Sequence, residues 1–88
     1  MRKLTQKQFV TLEKVAYWTA EAHMCAQEGD TAETIRSARE SGIAYEQAVT
    51  LDTPIIALKV AIEFGKKPEN FWNHNILVYF QKAGFEVR

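Results

Sequence analysis

Thr53-Pro54-Ile55-Ile56-Ala57-Leu58-Lys59-Val60-Ala61-Ile62-Glu63-Phe64-Gly65-Lys66-Lys67-Pro68-Glu69-Asn70-Phe71-Trp72 is the stretch that decides the fold. Thr53 is placed to cap a helix, and Pro54 suits its first position, where the missing N–H costs nothing. From Ile55 to Phe64 only Lys59 and Glu63 interrupt the apolar residues. A helix that apolar nearly all round belongs in a core, so helix 54–64 is expected to be the central post of the molecule. Gly65 ends it, and Pro68 with Glu69 opens the next helix.

The same punctuation extends outward. Residues from about Thr5 to Glu28 hold a helical pattern closed by Gly29. Asp30 stands as the next N-cap with Glu33 three residues on, a capping-box arrangement that starts a stretch running towards Leu51. Gly84 closes the last helix, leaving Phe85 to fold back on the core. Alternation of period two is nowhere convincing, and β-prone Ile76–Phe80 lies inside a capped helical frame. The expected fold is all-α: one domain over residues 1–88, a compact bundle of four helices, or of five short ones if the second breaks at Gly42.

Turning the helices at about 100° per residue sorts their faces. Phe9, Leu12, Ala16, Thr19, Ala20, His23 and Ala26 share one side of the first helix, and its alanines predict close helix–helix approach. His23 reads as a neutral core histidine. Trp72, Ile76, Tyr79, Phe80 and Ala83 are expected to face inward on the last helix, with Asn75 a core amide and Asn70, Asn73, His74, Leu77 and Gln81 outside. A continuous second helix would present Ile35, Ala38, Gly42, Tyr45 and Val49 to the core and leave Ile43 out. A break at Gly42 would let Ile43 turn in.

Composition narrows the functional class. Eighty-eight residues with 47% hydrophobic content, two Trp, three Tyr and five Phe suffice for one core. Eleven basic residues balance eleven acidic ones, which argues against broad attraction to nucleic acid or membrane. The single cysteine, Cys25, forms no internal disulfide, and no apolar run has membrane-spanning length. With no signal-peptide pattern at the amino terminus, a soluble cytoplasmic protein is expected.

Ala38-Arg39-Glu40-Ser41-Gly42-Ile43, followed by Ala48 and Leu51, resembles the helix-turn-helix core of lambda-repressor-like proteins. Thr53-Pro54, Ala57-Leu58, Ala61, Phe64-Gly65, Pro68-Glu69 and Phe71-Trp72-Asn73 are similar to the last two helices of the host-inhibition-of-growth antitoxins of that family. The resemblance covers about Thr31 to Asn73. It implies a DNA-binding regulator in which Gln47 and Thr50 reach base edges and Arg36, Arg39, Lys66 and Lys67 touch phosphates. Tyr45–Thr50, the corresponding recognition helix, holds no basic residue and one acid. Whether residues 42–45 form a turn or helix decides this alternative.

No site of catalysis stands out. His23 and Cys25 lie on different helix faces, and the histidines and cysteine lack zinc-site spacing. There is no nucleophile elbow, phosphate-binding glycine loop or acid–base carboxylate pair. Metals and cofactors are therefore not expected. Trp18 falls opposite the Ala16 face, beside Lys14, Glu21 and Cys25; tryptophan is enriched at interface hot spots. Leu77 is a smaller exception of the same kind. The expected function is a small non-catalytic intracellular regulator or adaptor, of the inhibitor or accessory-factor type found in phages and plasmids. It would bind a macromolecular partner, most naturally a protein, through Trp18, Lys14, Glu21 and Leu77, with Tyr17 beside them; the alternative for Trp18 is that the second helix covers it. Self-association through the same surface also fits.

Overall fold

The computed structural model describes residues 2–88. Its elements are β1 (Arg2–Leu4), α1 (Gln6–Gln27), α2 (Thr31–Thr50), α3 (Ile55–Lys66), α4 (Asn70–Asn73), α5 (Ile76–Lys82) and β2 (Phe85–Val87). The fold is all-α, with five helices among the described residues and a small parallel strand pair at the chain ends.

Local chemistry sets the helix starts. The Thr5 hydroxyl accepts from the Gln8 backbone N–H at 3.1 Å, and the Gln8 side chain accepts from the Thr5 N–H at 2.9 Å. This closes a full capping box on α1. The Asp30 carboxylate accepts from the Glu33 N–H at 3.1 Å and starts α2. Thr53, by contrast, makes no cap: its buried hydroxyl has no hydrogen-bond partner, and Pro54 occupies the N-cap of α3.

The central element is α1, not α3. Phe9, Leu12, Val15, Ala16 and Ala20 of α1 are buried between α2 on one side and α3 on the other. α3 buries Ala57, Leu58, Ala61, Phe64 and Gly65 but leaves Ile55 and Ile56 exposed. Its apolar character exceeds what the fold covers. The alanines of α1 do mark close approach, since Gly65 of α3 lies directly over the backbone of Ala16.

α2 continues through Gly42 without a break, so the fifth helix arises elsewhere. Its buried residues are Ser37, Ala44 and Ala48. The predicted core face of Ile35, Ala38, Gly42, Tyr45 and Val49 is exposed instead. Small residues face α1 because the two helices lie close, and the Thr19 and Ser41 hydroxyls hydrogen-bond between them at 3.0 Å.

The break comes in the last helix. His74 and Asn75 are extended, and the Asn75 carboxamide oxygen accepts from the N–H groups of Leu77 (2.9 Å) and Val78 (3.3 Å). Asn75 is therefore an exposed N-cap of α5 rather than a core amide. Gly84, with φ of 95°, then turns the chain into β2. Phe85 folds onto Phe80, and β2 pairs with β1 in parallel, Arg2 to Phe85, Lys3 to Glu86 and Leu4 to Val87.

Candidate protein-binding surface

The chain reversal after α3 builds the most aromatic part of the surface. Lys67 adopts an extended conformation, and the buried Asn70 amide nitrogen donates to the Phe64 carbonyl at 3.0 Å. This lays α4 back towards α1. Phe71 then meets Phe64 edge-on with ring centroids 4.9 Å apart, and Tyr17 at 6.5 Å. Tyr17 in turn meets Trp18 at 5.0 Å. With Asn70 directed inward, Trp72 two residues later is carried out, and it is 70% exposed. A cleft of about 160 Å³ opens between α1 and α4, lined by Tyr17, Glu21, Met24, Pro68, Phe71 and Trp72.

Trp72 and Asn70 thus exchange the places predicted for them. A continuous helix phased on Ile76 and Phe80 puts Trp72 inside, but extended backbone at His74–Asn75 resets that phase. An Asn-x-Trp-Asn-x-Asn run with a capping residue before Ile76 was the available signal.

The residues predicted for an interface are divided by the structure. Trp18 is half-buried, its ring covered by the Arg36 guanidinium at 5.5 Å, so α2 takes much of the surface assigned to a partner. Lys14 is exposed, whereas Glu21 is half-buried on the cleft wall. Leu77 is exposed on α5 and does not line that cleft. Tyr17, expected beside Trp18 in that surface, is joined instead by Phe71 and Trp72.

The residues assigned to DNA do not form a recognition unit. Residues 42–45 are helix, so the turn required by a helix-turn-helix is missing and Tyr45–Thr50 is the tail of α2. Arg36 pairs with Glu33 at 3.2 Å, and Lys66 pairs with Glu63 at 3.1 Å at the far end of α3. Arg39 and Lys67 are exposed. Gln47 and Thr50 wall a shallow groove of about 660 Å³ between α1 and α2, where Thr50 donates to the Glu46 carbonyl. The groove is floored by apolar Val10, Ile43 and Leu51, with Lys7 and Glu46 at its edges.

His23 is exposed, not a core histidine, and no group of three His, Cys, Asp or Glu among the described residues is placed to hold a metal ion. Desolvation first, and then Glu21, Asp30, Glu28 and Glu33, push the Cys25 thiol above its ordinary value. Such a thiol stays protonated and is a poor nucleophile. Partial burial alone likewise raises the Glu13 carboxyl, which is half-buried rather than freely solvated. No helix of the described residues is long and apolar enough to cross a membrane. Comparison with known protein families, curated proteins and solved structures finds no match.

Proposed function

We propose that this chain is a small non-catalytic regulator or adaptor that acts by binding a protein partner through Trp72, Phe71 and Tyr17. One observation carries the reading: Trp72 is 70% exposed beside a cleft that Tyr17 and Phe71 help to line. Holding an indole in water forgoes a large burial gain, and such residues dominate the energetics of protein interfaces. Glu21 gives the cleft a polar wall, the arrangement of an apolar centre with a hydrogen-bonding rim.

The test is affinity capture from the source cell with the wild-type chain and with Trp72→Ala, each folded by circular dichroism. A partner retained by the wild type and lost by the variant supports the reading. If every captured protein stays bound to Trp72→Ala, the aromatic cleft is not the contact surface. Tryptophan emission gives a second readout, because covering Trp72 shifts it to the blue.

A further inference from the structure

α2 packs chiefly on one neighbour, α1, through Ser37, Ala44 and Ala48. Along its exposed flank run Ile35, Ala38, Gly42, Tyr45 and Val49, at alternating spacings of three and four. That is the a/d spacing of a heptad seam, whose repeat of about 3.5 residues keeps one apolar line facing a partner helix. Ile35 and Val49 are more than half exposed, and Tyr45 is 37% exposed. Gly42 adds a second observation. A glycine inside a helix is unfavourable, yet beyond its own turn of helix no atom lies within 4 Å of where its Cβ would be. The fold itself does not require the gap.

We propose that a second copy of this chain covers the seam, the two α2 helices pairing antiparallel about a two-fold axis between Ile43 and Ala44. Side-chain size selects the orientation. In an antiparallel seam each a residue faces a d residue, which sets Tyr45 over Gly42 of the second copy and Val49 over Ala38, each pair twice by symmetry. Tyr45 and Val49 each meet the space left by a small residue, while Ile35 lies at the edge of the paired span, level with Asp52 beyond the end of α2. Parallel pairing would set Gly42 on Gly42 and Tyr45 on Tyr45, a gap beside a crowded layer.

Charge selects the same arrangement. Arg39 and Glu46 are exposed on one edge of the stripe, and neither has an ion-pair partner among the described residues. Antiparallel pairing brings Arg39 of each copy beside Glu46 of the other. Parallel pairing would set them against Thr34 and Ser41. This surface is separate from the aromatic cleft, so Trp72→Ala leaves the self-association unchanged.

Sedimentation equilibrium from low micromolar to millimolar chain reads the association directly. The wild type is expected to dimerise. Val49→Glu changes an exposed residue, so it keeps the helical circular dichroism but raises the dissociation constant about a hundredfold, because the charge enters the seam twice. Arg39→Glu and Glu46→Arg each weaken the dimer several-fold, and the two together restore it. In a Cys25→Ser background, Ala38→Cys with Val49→Cys is expected to oxidise to a covalent dimer. Ala38→Cys alone is not, since antiparallel pairing holds those two positions about 16 Å apart, beyond the reach of a disulfide. A wild type monomeric at every concentration overturns the proposal. So does a dimer that survives Val49→Glu, or an Ala38→Cys chain that cross-links to itself as readily as the double variant.

Discussion

Two glycines in helices illustrate opposite effects of the same substitution. Gly65 lies where α3 crosses α1, and a Cβ there would fall 2.5 Å from the Ala16 carbonyl oxygen and 2.8 Å from Thr19 Cβ. The backbone oxygen is held in the α1 hydrogen-bond ladder and cannot withdraw. Gly65→Ala therefore forces the helices apart and is expected to cost about 1–3 kcal/mol, despite alanine's better helix propensity. Gly42, with open space around it, gives the contrary result: Gly42→Ala is expected to stabilise the fold by about 0.5–1 kcal/mol in dilute solution. Urea unfolding of the two variants beside the wild type measures both signs. A stabilised Gly65→Ala would show that the α1–α3 contact is looser than described.

At the scale of elements, the start of α5 is set by a single side chain. The helix spans only Ile76–Lys82, too short to persist without packing, and the Asn75 carboxamide oxygen takes two of its free N–H groups. Asn75→Ala is expected to lower stability by about 1 kcal/mol. Because Asn75 is exposed, thermal melting that finds no loss would mean water replaces the cap without penalty. Asn75 also shows what was legible in the chain. Helix limits at Thr5, Asp30, Pro54 and Gly84 could be read because caps and turns act over three or four residues. Helix orientation could not. The bulky apolar residues of α2 point outward because close contact with α1 selects Ser37, Ala44 and Ala48, so ranking faces by hydropathy chose the wrong one. α3 has more apolar surface than this fold buries, which made it look central. The candidate surface was missed for a related reason: Trp72 changes sides through two extended residues, a small backbone event with a large effect on phase.

At the scale of the whole molecule, the chain ends are joined. Strands of three residues cannot hold a parallel pair in water by themselves. Here Leu4 and Phe85 are buried at its base, Phe85 against Phe80, which itself packs edge-on against Phe9 at 5.7 Å. The pairing has no signature of period two, since three residues at each end are too few to show one. Phe85→Ala removes the largest anchor and is expected to cost about 3–5 kcal/mol, a large share of the stability of a domain this size. Its kinetic effect follows from where the contact lies in the chain. Leu4 and Phe85 are separated by nearly the full sequence, and closing so long a loop is worthwhile only after the helices have packed. The clip should therefore form after the rate-limiting step. Phe85→Ala is expected to speed unfolding by roughly two to nearly four orders of magnitude while refolding changes little. Stopped-flow chevrons in urea separate the two arms. If the refolding arm slows by as much as the unfolding arm quickens, the chain ends meet within the folding nucleus and the clip is an early contact.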